Sequence, residues 1–342
     1  MDYQFVNYRG LDDLGRAVQH IALQVPPSVE RVVGVPRSGM LAASVLALQL
    51  NLPFTDVDGY LAGRVLATGR RAHRPANGTG PRTIVIDDSV LTGTQLAAVR
   101  AAIASAGNGR EALDEVLYAA LFVTTTSRHL VDYFGEIVEP PRIFAWNILH
   151  HAPLMARACL DIDGVLCHDP TEDENDDGAG YEAFLAGAQP LFVPTAPVGY
   201  LVTSRLERYR PQTERWLAEH GIRYGELIML KGMSAELRRA AGAHGAHKAE
   251  AYRRSGAQLF IESDYGQAVE IAHRSGRQVF AIDRREMVYP PPGRAMAAAP
   301  GAFLRSIGRI PPAHAAYLET RTRLSRAIGP RPKALIRRAL GR

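Results

Sequence analysis

Residues 84–96, Ile-Val-Ile-Asp-Asp-Ser-Val-Leu-Thr-Gly-Thr-Gln-Leu, decide the fold of the first half of the chain. Three apolar β-branched residues followed by Asp87 and Asp88 predict a buried strand that ends in two carboxylates. The turn Thr92-Gly93-Thr94 precedes a helix predicted over residues 96–104, and the N–H groups at the start of a helix bind phosphate well. The stretch therefore predicts a strand, an acidic tip and a phosphate-binding helix start.

Two carboxylates beside a phosphate site favour a ligand that carries a phosphate on one side and hydroxyl groups on the other, such as ribose 5-phosphate. The pattern resembles the signature of the type I phosphoribosyltransferases, which bind phosphoribosyl pyrophosphate (PRPP). This resemblance implies that Asp87 and Asp88 hold the ribose hydroxyls and that the turn from Thr92 to Gln95 holds the 5-phosphate. The family usually has Thr or Ser where Gln95 stands, so the register of the loop stays open. An N-capped helix without a nucleotide is the alternative interpretation.

Strands and helices alternate on both sides of this motif. Strands are predicted over residues 31–35, 84–88 and 116–123, and helices over residues 40–50 and 96–105. This spacing predicts parallel β–α–β units. The glycine-containing turn after the first strand has a backbone that can wrap an anion. The resemblance implies that Arg37, Ser38 and Gly39 bind pyrophosphate there, and an ordinary strand-to-helix turn is the alternative.

An arginine-rich segment and two carboxylates complete the first half. The arginines of residues 62–82 are Arg64, Arg70, Arg71, Arg74 and Arg82. Phosphoribosyltransferases close a flexible loop over PRPP, so the resemblance implies that one of these arginines neutralises the departing pyrophosphate; a solvated linker is the alternative. If the acceptor is a hydroxyl group, Asp56 and Asp58 at a predicted strand end are candidates for the general base.

Length and composition predict the number of domains and the compartment. A chain of 342 residues with 46% hydrophobic residues can form two cores. We predict domains over residues 1–152 and 153–290, and a tail over residues 291–342. No long apolar run and no leader-like N-terminus occur, which predicts a cytoplasmic protein. Cys159 and Cys167 are expected to be unpaired, since two thiols cannot form a disulfide framework. The net charge of +5 is unevenly distributed, and no nucleic-acid-binding motif accompanies the basic patches.

Residues 158–166, Ala-Cys-Leu-Asp-Ile-Asp-Gly-Val-Leu, predict a second chemical site. Two carboxylates separated by one residue after a strand can act as nucleophile and as acid/base on the same phosphoryl group. The motif resembles the first motif of the haloacid dehalogenase-like phosphatases. The resemblance implies that Asp161 attacks phosphorus and Asp163 protonates the leaving oxygen. It also implies that Thr203 binds a phosphoryl oxygen and that Lys248 stabilises the charge of the aspartyl-phosphate.

Further pieces of this pattern follow in order. Strands are predicted over residues 198–202, ending at Thr203, and over residues 258–261, while Lys248 is predicted to open a helix. The phosphatase resemblance implies a magnesium ion held by Asp161, the backbone carbonyl of Asp163 and an acidic side chain after the last strand. That third ligand is Glu262 or, as the second choice, Asp264. A coincidence of strand ends and a catalytically inactive relative are the alternatives.

Three charged segments lie outside these motifs. Residues 168–178 are strongly acidic and follow the first phosphatase motif, where these enzymes insert a cap; a solvated lid loop or a cation site is expected. Arg205, Arg208 and Arg210 either contact phosphate or cover the surface of a helix over residues 212–219. Residues 313–341 predict two basic amphipathic helices, which would contact an anionic membrane, bind a partner or pack on the preceding domain.

The fold class predicted from these patterns is α/β. Two Rossmann-like parallel-sheet domains, the second with a small cap insertion, precede a basic helical tail. The pairing resembles the ribofuranose-transferring enzymes of bacterial surface-polysaccharide assembly. This resemblance implies transfer of ribose 5-phosphate from PRPP to an acceptor hydroxyl, followed by removal of the 5-phosphate from the ribosyl intermediate. The alternatives are a nitrogen-base acceptor, a regulator that only binds PRPP, and a phosphatase whose first domain holds the substrate.

Overall fold

The computed structural model describes residues 3–66, 81–106, 116–176, 178–231, 243–291 and 293. These residues form two compact units. The N-terminal unit is Asn7–Ile148, and the C-terminal unit contains the described residues of Met1–Val6 and Leu149–Arg342. The sequence predicts a first domain over residues 1–152, whereas this division places the segment before Asn7 with the second unit.

The N-terminal unit is an α/β structure with one main sheet. Its strands are β1 (Asn7–Arg9), β2 (Arg31–Gly34), β3 (Phe54–Asp56), β4 (Thr83–Ser89), β5 (Val116–Val123), β6 (Tyr133–Ile137) and β7 (Arg142–Phe144). Its helices are α1 (Leu11–Ala22), α2 (Gly39–Leu50), α3 (Val57–Leu61) and α4 (Thr94–Ala106). The main sheet has the strand order β3-β2-β4-β5-β6 and is parallel throughout, while β1 and β7 form a separate parallel pair.

Strand β4 lies at the centre of the main sheet. It pairs with β2 on one side and β5 on the other, so both of its edges are covered. Ile84, Val85 and Ile86 are wholly buried, as expected for an apolar run in a parallel sheet. The strand continues through Asp87 and Asp88, because pairing with β5 extends past them to Ser89. The predicted strand, residues 84–88, is thus confirmed and is longer by one residue at each end.

The C-terminal unit contains the second parallel sheet. Its strands are β8 (Ala158–Leu160), β9 (Val198–Leu206), β10 (Tyr224–Leu230), β11 (Leu259–Glu262), β12 (Val279–Ala281) and β13 (Glu286–Val288). Its helices are α5 (Ala152–Met155), α6 (Ala179–Gly187), α7 (Arg210–Glu219), α8 (Ala243–Ser255) and α9 (Tyr265–Ser275). The strand order is β10-β9-β8-β11-β12-β13, and only β13 is antiparallel to its neighbour.

The first described residues of the chain pack into the core of the C-terminal unit. Tyr3 and Phe5 are buried among its apolar residues. The backbone of Val6 exchanges two hydrogen bonds with the side chain of Gln278: its N–H donates to Oε1 at 2.6 Å, and its carbonyl accepts from Nε2 at 2.9 Å. The N–H of Gln278 donates to the Tyr3 hydroxyl at 2.7 Å. Gln278 is thus a buried polar side chain whose amide oxygen and nitrogen both bond to the N-terminal segment.

The structure confirms two parallel α/β sheets and corrects one helix boundary. Lys248 was predicted to open a helix, but it lies inside α8, which begins at Ala243. The predicted tail and the loop arginines Arg70, Arg71 and Arg74 lie outside the described residues. None of the helices in the described part of the chain is long and apolar enough to span a bilayer.

Candidate active sites

The turn between β2 and α2 lies against the end of β4. Gly39 is buried, and a Cβ atom there would lie 2.9 Å from the carbonyl oxygen of Ile86 and 3.0 Å from Oδ1 of Asp87. Only a residue without a side chain allows so close an approach. The approach brings the predicted pyrophosphate residues Arg37 and Ser38 to the same edge of the sheet as the acidic pair, and Arg37 is exposed there.

The predicted 5-phosphate turn is open at the start of α4. Gly93 has φ of +80°, and a Cβ there would collide with Leu130 at 2.4 Å, so glycine is needed for both conformation and space. Thr92 and Thr94 are exposed, and their hydroxyl oxygens lie 3.0 Å apart. The helix begins at Thr94, and the N–H groups of its first turn have no partner within the helix. Gln95 is exposed in this first turn.

Burial shapes the charge of the Asp87–Asp88 pair. Desolvation and the neighbouring Asp88 carboxylate raise the pKa of Asp87 to about 8. Burial also raises the pKa of Asp88, against hydrogen bonds that lower it, the first from Trp146. The N–H of Asp88 donates to Oδ1 of Asp87 at 2.8 Å. The pair therefore keeps a proton near neutral pH and can both donate and accept hydrogen bonds to a diol.

Trp146 contacts the acidic pair, a contact that the sequence analysis missed. Its indole Nε1 donates to Oδ2 of Asp88 at 2.8 Å. The indole ring stacks on Phe144, with centroids 5.0 Å apart and planes inclined by 8°, and Phe144 stacks on Phe122. Trp146 follows β7 by two residues. A tryptophan in a short apolar segment was the available signal, but it gave no indication of its partner.

One of the two general-base candidates caps a helix. Asp56 is the N-cap of α3, and its Oδ1 accepts the N–H of Gly59 at 2.7 Å. Asp58 lies exposed in the first turn of the same helix. This hydrogen bond gives the Asp56 carboxylate a structural role as a helix cap. The assignment of either residue as a base stays a prediction.

The second site is built at the carboxyl ends of two neighbouring strands. Asp161 follows β8 and Glu262 ends β11, which pair with each other in the sheet of the C-terminal unit. Lys248 reaches them from α8: its Nζ donates to Oδ2 of Asp161 at 2.6 Å and to Oε2 of Glu262 at 2.8 Å. Gln267 accepts a third hydrogen bond at 3.0 Å. Motifs distant in sequence thus converge on one buried ammonium group.

The cluster combines one cation with two buried carboxylates. Burial raises the pKa of Asp161 well above its usual value, although Lys248 opposes that shift. Burial by itself would lower the pKa of Lys248, but Asp161 and Glu262 raise it above its ordinary value. The ammonium therefore stays charged and holds the carboxylate of Asp161 in a fixed orientation. A fixed carboxylate beside a cation suits nucleophilic attack on a phosphoryl group.

Thr203 and Arg205 lie on β9 beside this cluster. The sequence predicts a strand that ends at Thr203, but β9 continues to Leu206, and Thr203 is wholly buried. Its hydroxyl oxygen accepts the N–H of Arg205 at 3.2 Å. Arg205 was expected to cover a helix surface or contact phosphate; instead it is wholly buried and forms an ion pair with Asp163 at 2.6 Å. Arg205 does contact the helix after it, through the hydroxyl of Thr213, but from the buried side and not at an exposed helix surface.

The predicted magnesium ligands accept hydrogen bonds from protein groups in this structure. Glu262 uses Oε2 for Lys248 and Oε1 for the N–H groups of Ser263 and Asp264. Oδ1 of Asp264 caps α9 by accepting the N–H of Gln267 at 2.6 Å, and Asp163 is held by an arginine. Within the described ranges, no group of three or more His, Cys, Asp or Glu side chains is placed to hold a metal ion. The predicted centre also uses the backbone carbonyl of Asp163, and it stays a prediction.

The described residues of the acidic segment 168–178 form local hydrogen bonds. Glu174 accepts hydrogen bonds from the N–H and hydroxyl of Thr171, and Asp176 accepts the N–H groups of Gly178 and Tyr181. These bonds lower the pKa of both carboxylates, so both remain ionised. The carboxylate of Asp176 thereby holds the start of α6. Asp177 lies outside the described residues.

Cys159 and Cys167 are both buried and unpaired, as predicted.

No known family model matches the sequence, and no curated protein matches it. Solved structures do show likeness. A purine phosphoribosyltransferase from Pyrococcus horikoshii is 23% identical, with a TM-score of 0.30, and the match covers 43% of this chain and 94% of that one. A xanthine-guanine-hypoxanthine phosphoribosyltransferase from Helicobacter pylori is 19% identical, with a TM-score of 0.29, covering 41% and 93%.

Proposed function

We propose that the chain is a bifunctional enzyme that transfers ribose 5-phosphate from PRPP to an acceptor hydroxyl and then removes the 5-phosphate. The observation that carries the proposal is the presence of one acidic site in each unit. Asp87 and Asp88 lie at the sheet edge between two open turns, and Asp161 lies against Lys248. The first arrangement suits a sugar phosphate, and the second suits cleavage of a phosphate ester.

In the transfer step, the acceptor oxygen attacks carbon 1 of PRPP and pyrophosphate leaves. Asp87 and Asp88 hold the ribose hydroxyls, and their negative charge stabilises the oxocarbenium-like transition state. The turn from Thr92 to Gln95 binds the 5-phosphate, while Arg37, Ser38 and Gly39 bind pyrophosphate. Attack opposite the leaving group inverts the α-linked donor and produces a β-ribofuranoside. The exposed helix start at Thr94 supports the phosphate assignment.

In the phosphatase step, Asp161 attacks the phosphorus of the transferred group and Asp163 protonates the leaving oxygen. Lys248 holds Asp161 in place and stabilises the phosphorylated intermediate. Loss of the 5-phosphate makes the whole sequence irreversible. A requirement for Mg²⁺ stays a prediction from the family resemblance.

The acceptor class is proposed from the resemblance to surface-polysaccharide enzymes. A sugar hydroxyl is the proposed acceptor, and a nitrogen base is the competing one. Contact between the basic tail and a membrane surface belongs to the same proposal, as does a cytoplasmic location. No nucleic-acid partner is proposed, because the sequence carries no motif for one.

The test measures pyrophosphate and phosphate release from PRPP, with Mg²⁺ or EDTA, in the presence of pooled oligosaccharides or nucleobases. We expect pyrophosphate release that depends on the oligosaccharides. Asp88→Asn should abolish it, whereas Asp161→Asn should preserve it and accumulate a 5-phosphorylated product. The exposed carboxylates Asp12 and Asp283 provide the matched controls Asp12→Asn and Asp283→Asn. Dephosphorylated product at an undiminished rate from Asp161→Asn would show that the second site is wrongly assigned.

A further inference from the structure

The guanidinium of Arg205 is a buried cation beside Asp163, the proposed acid/base. Its side chain is 0% exposed, whereas that of Asp163 is 18% exposed. Nη2 donates to Oδ1 of Asp163 at 2.6 Å, and Nε donates to both carboxylate oxygens at 3.1 Å. Nη1 donates to the hydroxyl of Thr213 at 3.3 Å, and Nη2 also contacts Sγ of Cys167 at 3.3 Å. Hydrogen bonds to Asp163, Thr213 and Cys167 thus fix the orientation of the guanidinium.

The two oxygens of Asp163 have different surroundings. Oδ1 accepts from two nitrogens of Arg205 and from the thiol of Cys167 at 3.5 Å. Oδ2 accepts from Nε of Arg205, which is its one hydrogen bond from the described side chains. Because a carboxylate oxygen has two lone pairs, Oδ2 keeps an acceptor position for a proton, while Oδ1 is occupied. The arrangement distinguishes the two oxygens of one carboxyl group.

The backbone of Asp163 is fixed as well. Its carbonyl oxygen accepts the hydroxyl of Ser263 at 3.2 Å. Arg205 itself is fixed by its N–H bond to Thr203, a residue of the same strand. The carboxyl group of Asp163 and the nucleophile Asp161 are therefore held from different elements, which suits a reaction that needs both at defined positions.

We infer that Arg205 is a positioning residue that holds Oδ1 of Asp163 so that Oδ2 transfers the proton in the phosphatase step. This inference rests on the proposed function. When Asp161 forms its bond to phosphorus, the P–O ester bond breaks and the leaving oxygen takes the proton of Oδ2. A water molecule then attacks phosphorus and returns one proton to Oδ2. The bond between Asp161 and phosphorus breaks, and inorganic phosphate leaves. Between the two steps, Arg205 stabilises the ionised carboxylate.

Lysine cannot replace arginine in this role. A guanidinium contacts both carboxylate oxygens in one plane, whereas an ammonium is a single point charge. Arg205→Lys therefore keeps the charge but loses the contact that distinguishes the two oxygens. Arg210→Lys is a matched control, since Arg210 pairs with Glu207 and Glu214 and not with Asp163.

The experiment compares wild type, Arg205→Lys, Asp163→Asn, the double variant and Arg210→Lys with ribose 5-phosphate and 4-nitrophenyl phosphate. We expect Arg205→Lys to lower kcat for ribose 5-phosphate about 100-fold with KM within threefold, since a positioned acid contributes about 10²–10⁴-fold. Nitrophenolate needs no proton to leave. In Arg205→Lys, the first step with 4-nitrophenyl phosphate should therefore stay fast, while the second step, in which water returns a proton to Oδ2, becomes slow. This variant should release a burst of nitrophenolate equal to the enzyme concentration. The double variant should be no slower than Asp163→Asn, because Arg205 acts through that residue.

Each other outcome contradicts a defined statement. If the wild type hydrolyses neither ester, the proposed phosphatase function is wrong and the inference falls with it. Three results with an active wild type would show that only the inference is wrong. They are an unimpaired Arg205→Lys, an Arg205→Lys without a burst, and a double variant whose kcat is lower than that of Asp163→Asn. Should Arg205→Lys fail to fold, Thr213→Val decides, because it removes the Nη1 anchor alone. We expect a roughly fivefold lower kcat with ribose 5-phosphate, and an unchanged kcat would overturn the inference.

Discussion

Replacement of Lys248 by methionine tests how the charge cluster of the C-terminal unit is held together. The substitution removes the cation between Asp161 and Glu262, which are 4% and 0% exposed. Methionine keeps much of the apolar stem of lysine, so the change chiefly removes charge. Two hydrogen-bonded ion pairs at 2.6 and 2.8 Å are lost at once. Two buried carboxylates then face each other without a counter-ion.

The magnitude depends on pH. Removing one partner of a buried ion pair costs about 3–5 kcal/mol. Protonation of one carboxyl relieves this cost; for an ordinary pKa near 4 it requires about 5 kcal/mol at pH 8 but only about 1.4 kcal/mol at pH 5. In the variant, the folded-state pKa of that carboxyl lies above its unfolded value, so the stability falls as pH rises between the two. We expect a loss of about 3–5 kcal/mol at pH 8 and about 1–2 kcal/mol at pH 5.

Urea unfolding followed by tryptophan fluorescence isolates the unit concerned. The chain has two tryptophans, and Trp216 is buried in the C-terminal unit while Trp146 lies in the other. A Trp146→Phe background therefore makes Trp216 the sole reporter. Lys231→Met removes an exposed lysine and serves as the control, with an expected change within about 0.5 kcal/mol. A loss for Lys248→Met below about 1 kcal/mol at pH 8, or an equal loss at both pH values, would refute this account of the cluster.

Three further predictions concern the N-terminal unit. Gly39→Ala places a methyl group 2.9 Å from the Ile86 carbonyl oxygen, so pyrophosphate release should fall at least 10-fold; Gly15→Ala, which meets no atom within 4 Å, should leave the rate unchanged. Because the folded-state pKa of Asp87 is about 8, the free energy of unfolding of this unit should decrease from about pH 4 to pH 8. Asp87→Asn should make that free energy nearly independent of pH over this range. Urea titrations followed by Trp146 fluorescence in a Trp216→Phe background measure it. Trp146→Phe removes the hydrogen bond to Asp88 that lowers its pKa, so the acidic limb of the pH–rate profile for pyrophosphate release should move to higher pH; an unmoved limb would contradict the assignment.

Strand positions followed from the sequence because apolar β-branched runs leave few alternatives. Strand β5 (Val116–Val123) has the predicted limits, since all but one of its residues are buried and none is charged. Asp87 and Asp88 were predicted as the last two residues of strand β4, and the structure adds only Ser89 after them. Here pairing with β5 continues to Ser89 and keeps both acids inside the ladder.

Long-range side-chain partners were beyond the sequence. Arg205 looks like one of three arginines before a helix, and only the packing of β9 beside β8 brings it to Asp163. Lys248 was singled out by a family pattern, but its contact with Glu262 depends on how α8 lies over the sheet. Such contacts depend on tertiary geometry, which one sequence without its structure does not specify.

The bond between Val6 and Gln278 joins residues 272 positions apart. During synthesis, the segment from Tyr3 to Val6 leaves the ribosome well before its partner Gln278 is made. At about 5–20 residues per second, the segment waits on the order of 15 to 50 s for Gln278. The N-terminal unit has time to fold in that interval, while the C-terminal unit can close only after its last strands appear. An expression fragment that begins at residue 153 would lack the segment from Tyr3 to Val6. Co-expression of a short peptide with that segment would restore it.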